Sequence, residues 1–277
     1  MTPIISVSGG KDSTALYLLA VEWFGQDFVP VFADTGNEHP VTVNYVRNLH
    51  IMAGGPPVQI VKADFAERLR KNGIEPSGEP FIDMVMWKKR FPSTKAQFCT
   101  EHLKMRPIRD WMEDQGFESP VMFTGIRAGE SPRRAAMPEN EWSDYYDCEM
   151  RRPLIRWSEE DVFAYLKEKG VPPNPLYSTG QTRVGCFPCI HANKAQLRTM
   201  PEWAWDKLEE WEARLSTVTD RFHWFHPDTL PRSAICPPLK KVREWSQTSR
   251  GGSQFNAFLQ SETADVPACM SGWGHCE

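Results

Sequence analysis

Within six consecutive residues, Ser8-Gly9-Gly10-Lys11-Asp12-Ser13 collects two hydroxyls, two glycines, an ammonium and a carboxylate. That set suits an oxyanion. Gly9 and Gly10 let backbone N–H groups face an anion with no Cβ in the way. Lys11 adds a full charge, and Ser8 and Ser13 can donate hydroxyl hydrogen bonds. Asp12 belongs in such a loop if it orients the loop or meets Mg²⁺. The stretch is not a Walker loop: Asp12 follows the lysine, and the upstream glycine of that pattern is missing. The plainer alternative is a strand–helix turn that uses glycine for geometry and serine and aspartate as caps. A second group is Cys186 and Cys189, a C-x-x-C pair whose spacing lets two thiolates reach one metal. Structural zinc, with His191 as a further ligand, is one occupant. Lys104, Arg127 and Arg134 could supply positive charge to phosphate or sulfate oxygens, for which the planar guanidinium fork is suited. Arg183, three residues before Cys186, could meet the same anion or a loop carbonyl.

The elements that must position these groups alternate. A strand ends at the glycine turn and residues 12–24 form a helix stopped by Gly25; 28–36 is a second strand ending in a turn. A helix closed by Gly54–Gly55, a third strand at 57–63, a helix at 101–114 and a fourth strand within 117–127 follow. Such alternation predicts an α/β protein: a Rossmann-like parallel sheet with helices on both faces. Ligands of these sheets sit beyond the carboxyl ends of the strands. Ser8–Ser13, Asp34–Glu38 and Gly125–Arg127 all fall there, so three polar clusters converge on one sheet edge. Residues 157–170 form a helix with capping-box spacing between Ser158 and Asp161 and a stop at Gly170. The stretch 71–100 is read as an irregular loop over the site. Beyond 170 prolines and glycines dominate, then a Trp-rich helix at 201–214 whose Trp203, Trp205 and Trp211 are expected to pack rather than stack bases. The predicted division is a nucleotide-binding domain at 1–170 and a smaller, cysteine-containing region at 171–277.

A chain of 277 residues with 40% hydrophobic and 25% charged residues can bury a substantial core. Its net charge of −4 gives no global pull on nucleic acid or anionic membrane. Arginines 127, 133, 134, 151, 152 and 156 could still form a local patch for a polyanion. No stretch reads as a signal peptide or a membrane span, so the expected location is the cytoplasm, and the seven cysteines are expected to be reduced.

SGGKDS after the first strand, with DTGNE (34–38) after the second, resembles the PP-loop ATP pyrophosphatases, and more narrowly the PAPS reductase family of the adenine nucleotide alpha hydrolase superfamily. FCTEHLKMRPI (98–108), GIRAGES (125–131), RPLIRWSEEDV (152–162) and NPLYSTGQTRVGCFPC (174–189) are similar to later family blocks in the same order. The resemblance implies an adenine nucleotide at the strand ends, held by Ser8, Gly9, Gly10, Lys11, Asp12, Ser13, Asp34, Thr35, Gly36, Gly125 and Arg127. Lys104, Arg134 and Arg183 would bind anionic oxygens, and Lys11 and Asp12 would act in catalysis. An intact SGGKDS implies the ATP-using branch: Mg²⁺ enters with ATP, which is split to AMP and pyrophosphate to adenylate an acceptor for sulfur transfer. The cysteines imply a second component. Cys99 falls where iron–sulfur reductases of the family carry a Cys-Cys pair, and with Cys186 and Cys189 it implies a 4Fe-4S cluster, zinc being the alternative. Its fourth ligand would be Cys148, Cys236, Cys269 or Cys276, or an open position. The alternative functions are a PAPS or APS reductase, for which Cys276 is a candidate nucleophile, and a non-catalytic nucleotide-sensing module. Expected partners are ATP or a sulfonucleotide, and a nucleic acid or a sulfur-donor protein as acceptor or source; membranes are not expected, and an oligomer is compatible.

Overall fold

Strand β1 (Thr2–Val7) sits inside a six-stranded sheet of order β3-β2-β1-β4-β6-β5. Its partners are β2 (Val29–Ala33), β3 (Gln59–Val61), β4 (Pro120–Phe123), β5 (Asn140–Ser143) and β6 (Cys148–Arg151). These come from a computed structural model that describes residues 1–94, 96–220 and 239–249. All strands run parallel except β5, which forms an antiparallel pair with β6. The expected α/β architecture is therefore present, with the sheet mostly parallel.

The alternation of side chains along a strand builds two apolar layers. Ile5 and Val7 of β1 face one side, where they join Phe123, Leu16, Val46 and Val162. That side carries helix α1 (Lys11–Phe24), helix α2 (Pro40–Ala53) and the helix Glu159–Glu168. Ile4 faces the other side, with Val31, Met122, Ile108 and Met112, under the helix Arg106–Gln115. Ile4 and Ile5 are both fully buried, as a central parallel strand requires. The helix expected at 101–114 opens instead as a π-helical turn, Glu101–Met105, and becomes α-helical at Arg106.

The described residues divide into two compact units, 1–63 with 103–186, and 64–102 with those described beyond 186. The first unit runs past residue 170 because Asn174 and Tyr177 hydrogen-bond to the Ser8–Ser13 loop. The stretch 71–100, expected to be irregular, contains the buried helix Pro80–Lys88. Its run of apolar residues is covered nearly all round, which left no amphipathic period to read. In the second unit Phe81 of this helix stacks on Trp211 of the helix Glu202–Ser216, centroids 5.1 Å apart and ring planes nearly parallel. Trp205 and Trp211 are buried packing residues as expected, whereas Trp203 is 40% exposed beside Phe187.

Candidate functional site

Chain reversal at β1 is built for close approach. Gly9 has φ +74°, and a Cβ there would lie 2.7 Å from the Thr42 methyl and 2.9 Å from Val46 of α2. Gly10 is the N-cap of α1 with no side-chain cap, which leaves the amides of the first turn to other partners. Ser13 locks the loop: its Oγ accepts from the Ser8 amide at 3.1 Å and donates to the Gly10 carbonyl at 3.0 Å. From outside the loop, buried Asn174 donates to the Gly9 carbonyl at 3.0 Å and to the Thr42 hydroxyl at 3.3 Å.

A set of charges lies beside this turn. Lys11 and Arg127 are both nearly buried. Asp12 lies between them: Arg127 Nε donates to its Oδ1 at 2.5 Å, and Lys11 Nζ is 3.4 Å from its Oδ2. Lys11 Nζ is also 3.4 Å from Glu159 and lies over the rings of Phe163 and Tyr177, at 5.9 and 5.5 Å. The Lys11 amide donates to the Tyr177 hydroxyl at 3.0 Å. Burial pushes that phenol up to about 12. Arg127 is fixed from behind, its amide donating to Glu130 at 3.0 Å. Gly125, two residues earlier, passes so near α1 that a Cβ would lie 2.9 Å from the Asp12 carbonyl oxygen. Glycine is required there by contact with backbone rather than by a turn.

The turn after β2 forms the neighbouring cluster. Asp34 accepts from the Gly36 amide at 2.9 Å and pairs with Lys62 at 2.7 Å. Burial opposes its ionisation, yet Lys62 and the Gly36 amide outweigh this and hold it below the usual carboxylate range. Glu38 accepts from the Thr35 hydroxyl at 2.7 Å and the Thr35 amide at 3.0 Å. Burial raises the Glu38 carboxyl, against the lowering effect of Thr35 and Lys104. The Cys186 thiol lies 3.8 Å from Glu38 and 3.7 Å from the Thr35 hydroxyl, and its backbone bridges to Glu38.

The structure thus brings together Ser8, Gly9, Gly10, Lys11, Asp12, Ser13, Gly125 and Arg127, and separately Asp34, Thr35, Gly36 and Cys186, with Lys104 acting on Glu38. Arg134 pairs with Glu130, and Arg183 is exposed; neither hydrogen-bonds or pairs with the Ser8–Ser13 loop. Five of the six arginines proposed as a polyanion patch are in ion pairs, Arg127, Arg134, Arg151, Arg152 and Arg156. Arg133 and Arg156 remain exposed. Cys148 is buried in the apolar layer with Ile4 and Met122, a packing position rather than a ligand position. Cys99, in the turn Phe98–Thr100, and Cys189 are half-buried thiols. Among the described residues no group of three or more His, Cys, Asp and Glu side chains is arranged to hold a metal ion. Cys236, Cys269 and Cys276 lie outside the described residues. No helix among the described residues is long and apolar enough to cross a membrane. Sequence reasoning missed Glu159, Phe163, Asn174 and Tyr177. All four come from sequence-distant segments; Glu159, Asn174 and Tyr177 fall within the blocks 152–162 and 174–189 that resemble the family, which was the signal that could have found them.

The β1 and β4 ends flank the point where strand order reverses, the crevice in which open α/β sheets hold phosphorylated ligands. Residues 2–192 match the phosphoadenosine phosphosulfate reductase domain, and the chain belongs to that family. It is 38% identical to the uncharacterized 37.8 kDa protein in the gpa 5′ region of Escherichia phage 186, over 99% of this chain and 96% of that protein. It is 32% identical to the adenosine 5′-phosphosulfate reductase of Allochromatium vinosum, over 57% of this chain and 61% of the reductase. Among solved structures, PAPS reductase from Candida auris, a phosphate complex, aligns with 68% of this chain and 82% of its own, at 20% identity and a TM-score of 0.48.

Proposed function

We propose that this protein binds Mg·ATP over the Ser8–Ser13 loop and splits it between the α and β phosphates, adenylating an acceptor oxygen and releasing pyrophosphate, with sulfur transfer to follow. The observation that carries this reading is the intact loop: a glycine turn at the end of β1 that opens α1, backed by the nearly buried Lys11 and Arg127. Phosphate oxygens would meet the amides of Gly9 and Gly10, the Ser8 hydroxyl and the Lys11 ammonium. Charge developing on the leaving pyrophosphate is stabilised by cations already fixed in place. Asp12, held by both cations, positions Arg127 and Lys11 rather than offering itself to a metal; Mg²⁺ arrives with the triphosphate as part of the substrate. Asp34, Thr35 and Gly36 would line the adenosine side.

The cysteines favour a second reading, a sulfonucleotide reductase in which a thiolate attacks the sulfonucleotide sulfur. The likeness to an adenosine 5′-phosphosulfate reductase supports it. A cluster or zinc at Cys99, Cys186 and Cys189 would belong to either reading. The described residues gather no such donor set, and Cys186 is placed by Thr35 and Glu38.

Competition of Mg·ATP against PAPS in anaerobic calorimetry, with pyrophosphate release followed in parallel, separates the two. Tight ATP binding, weak PAPS binding and loss of both signals in Lys11→Ala are expected. Preferential PAPS binding with sulfite release would replace the first reading by the second.

A further inference from the structure

Strand β5 ends the order β3-β2-β1-β4-β6-β5, and among the described residues its one neighbour is β6. Its residues Asn140-Glu141-Trp142-Ser143 include none of the lysines or prolines that commonly keep an edge strand from pairing. Cys148 of β6 is buried in the apolar layer with Ile4. Alternation therefore turns Glu149 and Arg151, and their partners Trp142 and Asn140, to the opposite face, the one that carries α1. Trp142 is 62% exposed there. On the same face a groove of about 540 Å³ runs beside the strand, lined by Trp23, Phe24, Phe123, Asn140, Glu149 and Arg151. Trp23 and Phe24, at the end of α1, meet the Phe123 ring with centroids 6.1 and 5.7 Å away, yet Trp23 stays 48% exposed. Trp142 lies outside the groove of its own chain, two positions along the strand from Asn140.

Backbone pairing decides which groups of β5 are left over. The Arg152 amide donates to the Glu139 carbonyl at 2.8 Å, while the Arg151 carbonyl turns the other way and accepts from the Thr124 amide at the end of β4. Bonded and non-bonded pairs alternate in an antiparallel ladder. Glu141 and Ser143 therefore bond to β6, and Asn140 and Trp142 direct their N–H and C=O groups outward. A two-fold axis normal to the sheet would lay a second β5 antiparallel to the first with faces matched. With the axis through Glu141, Asn140 of each strand faces Trp142 of the other, and every outward group of both residues is used. An axis through Trp142 would pair Trp142 with itself and send Asn140 to the turn at Asp144. The two Glu141 carboxylates would meet on the far face, each already neutralised by its nearly buried Arg152. In this register the partner's Trp142 stands across from Asn140 on the rim of the groove, Cβ atoms about 5 Å apart. Each copy then offers an exposed indole where the other has an unfilled aromatic groove. A small ligand in the groove would leave the strand edge and Trp142 unmatched. We propose that this protein forms a two-fold dimer through β5, joining two six-stranded sheets into one, with Trp142 of each copy seated in the Trp23–Phe24–Phe123 groove of the other. The dimer is independent of the adenylation reading, because it forms without nucleotide.

Sedimentation velocity of the full chain, without nucleotide, is run across a series from low to high micromolar protein. The wild type should pass from monomer to dimer. Trp142→Glu, which puts a charge where the indole seats, should raise the dissociation constant by at least about tenfold. Asn140→Pro removes one outward N–H, leaves the bonds to β6 in place, and should weaken the dimer comparably. Trp23→Ala removes a wall of the groove and should weaken the dimer from the other side. Added to Trp142→Ala it should cost little more, because the two rings would share one contact. Ile51→Glu is the control: Ile51 is 70% exposed on α2, and a charge there should leave association unchanged. All these positions are exposed, and urea midpoints check that each variant keeps its fold. A wild type that stays monomeric throughout overturns the proposal. So does a dimer indifferent to Trp142→Glu and Asn140→Pro, which would use another face, or one weakened equally by Ile51→Glu. Uptake of free indole by a monomeric wild type, lost in Trp23→Ala, would assign the groove to a small planar ligand instead.

Discussion

Two sets of cations in this protein are held in opposite ways. Beside the glycine turn, Lys11 and Arg127 are nearly buried and share the Asp12 carboxylate. In the second unit, Arg68 and Arg90 are exposed and rest on the rings of Trp87 and Phe98. A buried charge must be paired, since removal of its partner strands it out of water. An exposed one need not be, and gains little from pairing. The first set is consequently part of the fold and tolerates little change. The second contributes little to stability.

The contrast can be broken most forcefully at Asp12. Asp12→Ala would leave Arg127 buried beside Lys11 with no carboxylate between them, at a cost of about 3 kcal/mol. Urea unfolding measures this directly, and a loss below about 1 kcal/mol would mean the pair behaves as a surface pair. Next comes Gly125→Ala, whose methyl would press on the Asp12 backbone. Overpacking of this kind costs about 2 kcal/mol, and thermal unfolding should show it even with no nucleotide present. Tyr177→Phe removes the acceptor of the Lys11 amide, worth about 1 kcal/mol. It should also expose that amide, so inorganic pyrophosphate should bind at least as tightly to the variant in calorimetry; weaker binding would make the hydroxyl itself a ligand contact.

A smaller effect sharpens the comparison through pH. Asp34 is held below its ordinary value of 3.8 by Lys62 and the Gly36 amide, despite its burial. A carboxyl lowered on folding contributes stability that is present above that value and is lost as pH falls through the lowered one. Asp34→Asn should therefore lower stability near neutrality and flatten the acid side of the stability–pH curve, so that variant and wild type converge in acid, as read from urea midpoints at successive pH. The smallest effect belongs to the exposed cations. Arg68→Gln should shift stability by less than about 0.5 kcal/mol, as read from urea midpoints.

Legibility in the sequence follows the range of the interactions. The first strand, the glycine turn and α1 are contiguous, and buried strand, positive-φ glycine and helix start all agree there. The helix Glu159–Glu168 was readable because its start is signed locally: Ser158 and Asp161 form the reciprocal cap that their spacing predicted. Tyr177 and Asn174 were not readable as site residues, because their partners lie more than 160 positions earlier. The β5–β6 pair escaped because Asn140–Ser143 and Cys148–Arg151 are four residues each and largely polar. The pairing within the arginine run was unreadable for a related reason: carboxylates such as Glu130, Glu139, Glu141 and Glu149 are visible in the sequence, but which arginine each one meets is decided by the hairpin and the turns.

The chain passes between its two units three times, after residues 63, 102 and 186. On the ribosome this order has a consequence. β1 emerges with β2 and β3 close behind, but its other neighbour, β4, begins only at Pro120. At roughly ten residues per second, the open side of β1 waits about ten seconds for its partner. For that time an apolar strand edge, later the inside of the sheet, is presented to whatever else is nearby. A nascent chain stalled before Pro120 should therefore be a client for chaperones, and release from them should coincide with the synthesis of β4 and β6.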